Sequence, residues 1–193
     1  MNVQHINIKL FIENPQAVRL DHFAGIFNTW IQRRLTDDLL IDVADYLHVH
    51  HGPGIVLIGH EANYSLDNAS GRLGLLYNRK EQLDGTTQDK LVQAVRSTLT
   101  AARRLEQEQR IKFVGGELQL VVNDRLLAPN TLETFAAIEA DLKTLFDRLY
   151  KGRGYELNQG PDPRERFTVN VKAAAQFAVE ALLQNLGVEP VHA

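Results

Sequence analysis

"LHVHHGPGIVLIGHEANYSLD", residues Leu47 to Asp67, holds four of the chain's seven histidines, and its strand pairing decides how any sheet is built. Gly and Pro in "HGPG" predict a turn between two strands, "DLLIDVADYLHVH" and "GIVLIGHEANYSL". With His50 opposite Ile55, the antiparallel register sets His48 against Leu57 and Asp45 against His60. Side chains alternate along a strand, so the cluster divides between two faces. Leu47, Val49, Val56 and Ile58 form an apolar core face that His60 and Asp45 continue, and His48, His50 and Glu61 fall on the other.

Each set suggests its own chemistry. Imidazoles at i and i+2 on a strand converge, so His48 and His50 are candidate ligands for a divalent transition metal. Glu61 lies about 13 Å from His48 at a strand's rise per residue, too far to complete that site without a bend. Asp45 beside His60 would orient the imidazole and tune its proton affinity, the arrangement of an acid/base pair. Glu61, Asn63, Tyr64, Ser65 and Asp67 supply polar groups for a small ligand, and Arg164 and Arg166 in the loop "GPDPRERF" offer charge to an anion. A buried Asp–His pair equally often satisfies only itself, and histidines on a partly apolar face also suit a subunit interface.

Outward from this stretch, Gln4–Ile12 alternates as a strand, and Phe23, Ile26, Phe27, Trp30 and Ile31 give a helix over Leu20–Leu35. "GRLGLLYNRK" is a third strand after that helix. A long helix from Thr87, its expected N-cap, to Arg110 follows, with Leu91, Val95, Leu99 and Ala102 as its apolar stripe. The second half repeats the grammar with the strand "ELQLVVND", the helix "TLETFAAIEADLKTLFDRLY", strands around "GYELNQ" and "RFTVNVK", and the helix "AAQFAVEALLQNLG". The expected fold is α+β: a mixed or mainly antiparallel sheet from two tandem strand–helix–hairpin–helix units, helices mainly on one face. The units span about 1–110 and 111–193 of a single domain, Arg72–Lys80 being an extra strand of the first. "FAGI" at Phe23 against "FAAI" at Phe135, and "HGPGIVLIGHEA" against "DPRERFTVNVKAA", hint at duplication.

Composition limits the functions. The 193 residues are 44% hydrophobic and 23% charged, with a formal net charge of −3, which gives no reason to expect nucleic acid or an anionic membrane as partner. With no cysteine, thiol nucleophiles, zinc–thiolate sites and iron–sulfur clusters are excluded. The start "MNVQHINIKLFIENPQ" lacks the pattern of a signal peptide, and the expected location is the cytoplasm. "VGGEL" and "KGRGYE" carry glycine without the rest of a phosphate-binding loop.

No motif identifies a family. The order strand–helix–three strands of the first half is similar to the module of the vicinal oxygen chelate (glyoxalase-like) superfamily. Proteins of that superfamily pair two modules and hold a divalent metal with His and Glu on strands, so the resemblance implies His5 and Glu61 as ligands. The second half departs from it, lacking a third strand and a matching pair of ligands. Two functions are therefore expected as alternatives: a metal- or small-ligand-dependent enzyme built on the Asp45–Asp67 hairpin, or a non-catalytic binding or assembly module, homo-oligomeric, whose histidines are structural or interfacial.

Overall fold

The computed structural model describes residues 1–109 and 111–187; Arg110 and the last six residues of the expected second unit lie outside them. The eight strands are β1 (Ile6–Ile12), β2 (Leu40–Tyr46), β3 (Gly54–Gly59), β4 (Ala62–Asp67), β5 (Gly74–Arg79), β6 (Phe113–Val122), β7 (Tyr155–Gln159) and β8 (Phe167–Ala173). They form one sheet in the order β2-β3-β4-β5-β1-β6-β8-β7. Every neighbouring pair is antiparallel. Among the described residues four α-helices accompany the sheet: α1 (Phe23–Arg33), α2 (Thr87–Gln109), α3 (Leu132–Leu149) and α4 (Val179–Asn185). The protein is thus an α+β fold on an antiparallel sheet.

The central strand β1 is buried along its whole length. Ile6, Ile8, Leu10 and Ile12 join one apolar cluster with Leu91, Val95 and Leu99 of α2 and with residues of all three other helices. Their alternation sends Asn7, Lys9 and Phe11 to the opposite face. Within the core Trp30 is fully buried, edge-to-face with Phe27, and its indole N–H donates to Glu108 at 2.8 Å, tying α1 to α2. The cap of α2 is Thr86 rather than Thr87. Thr86 and Asp89 bond reciprocally, Thr86 N–H to the carboxylate (2.9 Å) and Asp89 N–H to the hydroxyl (3.2 Å), while the Thr87 hydroxyl donates to the Met1 carbonyl.

The histidine-rich stretch folds differently from its expected register. Asp45 lies opposite Ile55, not His60, and Tyr46 opposite Gly54. The strand stops at Tyr46 because the Asp45 carboxylate captures the Leu47 N–H (2.8 Å), and two successive turns follow, Val49 N–H to Tyr46 and Gly52 N–H to Val49. Residues 47–53 are therefore a turn. Gly54 leaves it at φ +64°, where a Cβ would lie 2.2 Å from the Leu66 carbonyl. The core face is correspondingly Ile55 and Leu57, with Val56 and Ile58 on the other side and Leu47 and Val49 exposed.

The single strand expected over 54–66 is two, reversing at His60-Glu61. Gly59 permits the reversal: a Cβ there would sit 2.5 Å from the Ala62 carbonyl. The additional strand changes the plan of the first half, in which four strands follow α1. The hairpin β4–β5 lies beside β1 and the hairpin β7–β8 beside β6, with β2 and β3 beyond β4 at one edge of the sheet. The constant sequence offset sets β3 against β8, two strands at different places in the sheet.

Two helix starts also move. A 3-10 turn at Leu20–His22 precedes α1, and α4 begins only at Val179. The segment before α4 passes so close to β6 that a Cβ at Gly115 would fall 2.0 Å from the Phe177 carbonyl, and one at Gly116 2.7 Å from that of Ala175. "VGGEL" is a place of close backbone approach.

Candidate ligand-binding cavity

On the second face of β1, Asn7 stands between Asn78 and Val121, and Lys9 between Leu76 and Gln119. One strand further out, β8 sets Asn170 opposite Gln119, and β4 sets Asp67 opposite Gly74. Gly74 decides what Lys9 can reach. A Cβ there would lie 3.1 Å from Lys9 Cε and 2.6 Å from the Leu10 carbonyl, so its absence lets the lysine cross β5 to the strand beyond. Lys9 Nζ meets Asp67 Oδ2 at 2.5 Å, both side chains less than a tenth exposed, and donates to the Ala69 carbonyl at 3.3 Å. Asp67 Oδ2 also accepts the Ala69 N–H at 3.2 Å. These bonds hold the turn Ala69–Gly71, in which Ser70 (φ +60°) and Gly71 (φ +68°) are left-handed.

Arg72 leaves that turn and lies over Phe11, its guanidinium carbon 3.7 Å from the ring centroid. It is fixed there by a bidentate pair to Glu117 on β6, at 2.7 and 3.0 Å. The Arg72 hydrogen bonds hold the Glu117 carboxyl below its ordinary value. Gln119 donates its amide N–H to Asn170 Oδ1 at 2.9 Å. Between these groups, and reaching Arg166 at the head of β8, is a cavity of about 350 Å³. Asn7 lines it at 1% exposure, and its Oδ1 is buried with no hydrogen-bond partner among the described residues. An unpaired buried amide oxygen costs about 1–3 kcal/mol, so a partner entering the cavity would be rewarded.

No family model matches the chain, and no curated protein is similar to it in sequence.

Of the residues singled out from sequence, the structure places Asp67 and Arg166 at this cavity. Arg164 is exposed and folded back on Asp162, Nε to Oδ1 at 3.0 Å. Asp45 and His60 are not brought together: His60 lies five positions along the chain from Ile55, the partner of Asp45, roughly 17 Å at a strand's rise. His60 is exposed, with Nδ1 3.5 Å from its neighbour Glu61, whose carboxylate accepts the Leu39 N–H at 3.2 Å. Asn63 Oδ1 accepts the Gly59 N–H at 3.3 Å, closing the reversal at His60-Glu61. Tyr64 turns into the core and donates to Asp38.

His48 and His50 stand in the turn, His48 against the Tyr46 ring and His50 4.1 Å from the ring of His51. His5 precedes β1 at φ +50°, its carbonyl accepting the Asn123 N–H. The Lys80 N–H bonds the Glu61 carbonyl at 2.9 Å, and β5 lies between β4, which Glu61 precedes, and β1, which His5 precedes, the two strands being about 10 Å or two strand spacings apart. Among the described residues no group of three or more His, Asp or Glu side chains could hold a metal ion.

Sequence reading passed over Asn7, Lys9 and Gln119. Asn7 and Lys9 alternate with isoleucine and leucine, the pattern of a strand whose polar side faces water. Only their partners, 58 residues away for Lys9 and Asp67, bury them.

Proposed function

We propose that the protein is a non-catalytic small-molecule binding module whose site is the cavity on the second face of β1. In this reading the sheet comes from two related units, helices cover one face, and the other face is left to the ligand. The observation that carries the reading is Asn7, which lines the cavity and whose amide oxygen is buried without a partner among the described residues. Native polar groups are rarely left so, and an unpaired one beside a cavity marks a place where another molecule completes the bonding. The volume suits the lower end of small-ligand sites. The flanking ion pairs serve it by preorganisation: Lys9–Asp67 fixes the wall and Arg72–Glu117 the rim before any ligand arrives.

The test is mass spectrometry of small molecules released on denaturing the purified protein, combined with thermal shifts against a broad metabolite panel. A molecule that co-purifies with the wild type or raises its Tm, and does neither with Asn7→Leu, is the expected result. A protein that carries nothing and answers to no panel member, while Asn7→Leu merely stabilises it, overturns the reading.

A further inference from the structure

We infer that the ligand is a small hydroxylated anion, its charged group on Arg166 and its hydroxyls on the amides of Asn7 and Gln119. This inference rests on the binding reading above and narrows it to a chemical class.

The charges around the cavity are matched except at one place. Lys9 is neutralised by Asp67 and Arg72 by Glu117. Arg166 forms no ion pair among the described residues and stands exposed at the cavity edge. A guanidinium presents a planar fork of donors, which suits carboxylate and phosphate alike.

The hydrogen bonds left unmade point the same way. Asn7 Oδ1 has no donor. In the solvent-accessible Gln119–Asn170 pair the glutamine nitrogen and the asparagine oxygen are used, leaving a glutamine oxygen to accept and an asparagine nitrogen to donate, each open to water or to a ligand. The amide of Asn7 can also turn about its last torsion and exchange oxygen for nitrogen. Such a wall asks for groups that both donate and accept, which is what hydroxyls do. An ammonium group would donate too, but it cannot accept, so it would leave the free asparagine N–H unanswered. Hydroxyls do both. A carboxylate or phosphate on a hydroxylated carbon chain therefore meets both demands.

Isothermal titration calorimetry with four probes separates the contributions: gluconate, glucose 6-phosphate, glucose and hexanoate. The two hydroxylated anions should bind, with glucose and hexanoate each at least about tenfold weaker, since one lacks the charge and the other the hydroxyls. Arg166→Gln, at an exposed site where folding is not at stake, should weaken the bound anions roughly 10- to 100-fold and leave glucose unchanged. Asn7→Leu should weaken anions and glucose together. The arm that binds more tightly, gluconate or glucose 6-phosphate, tells carboxylate from phosphate. Equal binding of hexanoate and gluconate, or anion affinity indifferent to Arg166→Gln, overturns the inference. If all four probes fail but another panel molecule binds in an Asn7-dependent way, this inference falls and the binding reading stands. If nothing binds at all, both fall.

Discussion

The turn at residues 47–53 and the wall of β1 teach opposite lessons about where a site is found. The turn crowds His48, His50 and His51 into four residues, and the fold leaves them exposed against one another and a neighbouring tyrosine. The wall draws Asn7, Lys9, Asp67, Arg72, Glu117, Gln119, Arg166 and Asn170 from segments spread over most of the chain, none conspicuous alone, and packs them around one cavity. Local enrichment needs no fold to produce it. Convergence from distant strands is produced only by the fold, and it leaves buried polar groups whose satisfaction is demanding.

The sharpest test of this contrast is Lys9→Met. It strands the Asp67 carboxylate, 5% exposed, without its cation, and breaking a buried pair from one side costs about 3–5 kcal/mol. Chemical denaturation should show that loss, and Lys9→Met combined with Asp67→Leu should recover much of it. A single variant within about 0.5 kcal/mol of wild type would mean that the wall is less rigid than its geometry implies.

Asn7→Leu comes next, with the opposite sign. Replacing a buried amide whose oxygen has no partner by a side chain of similar size removes a penalty of about 1–3 kcal/mol, so the unliganded variant should unfold at higher denaturant than wild type. A gain in stability joined to a loss of binding is the expected signature of a site kept polar for its ligand. A loss of stability would show that the amide already has a partner, an enclosed water.

Much of the frame was legible in the sequence, and the reasons it was not all legible are local. β1, α2 and α3 follow from strict alternation or a long apolar stripe, signals that survive any tertiary context. The reversal at His60-Glu61 was missed because neither residue is a turn former. Gly59 was the sole sign, and a lone glycine in an apolar run marks a bulge as readily as an end. The end of β2 at Tyr46 was missed because Asp45 caps the chain, while the apolar alternation of Leu47 and Val49 runs on past it. The cavity was out of reach for a different reason: Gly74 admits Lys9 to Asp67 only when β5 lies between β1 and β4, and strand order is not written in any one strand.

A smaller effect tests a polar group on the core side of the sheet. Burial raises the Asp38 carboxyl above its ordinary value, and the hydrogen bond from Tyr64 opposes that rise. A carboxyl whose folded value exceeds its unfolded one adds stability below the unfolded value, about 3.9, and loses that stability as pH climbs through the folded value. At neutral pH Asp38 is thus a charge held at a cost, discounted by its partial exposure. Asp38→Asn keeps an acceptor for Tyr64 and removes the charge. It should stabilise the protein at pH 7 by less than about 1 kcal/mol, with the advantage shrinking towards pH 4. Destabilisation at pH 7 would instead show that the charged bond from Tyr64 outweighs desolvation.

The smallest effect belongs to the most conspicuous residues. His48 and His50 sit in an exposed turn whose hydrogen bonds run through the backbone and Asp45, so truncating both to alanine removes no bond that holds it. Surface changes of that kind stay within about 0.5 kcal/mol. Denaturation midpoint, oligomeric state and affinity for any cavity ligand should all match wild type. Metal titration of the same variant completes the comparison, because two imidazoles with no third ligand among the described residues should bind zinc only weakly. Tight, stoichiometric zinc that vanishes in the double variant would invert the contrast, placing chemistry in the turn and leaving the cavity wall to structure.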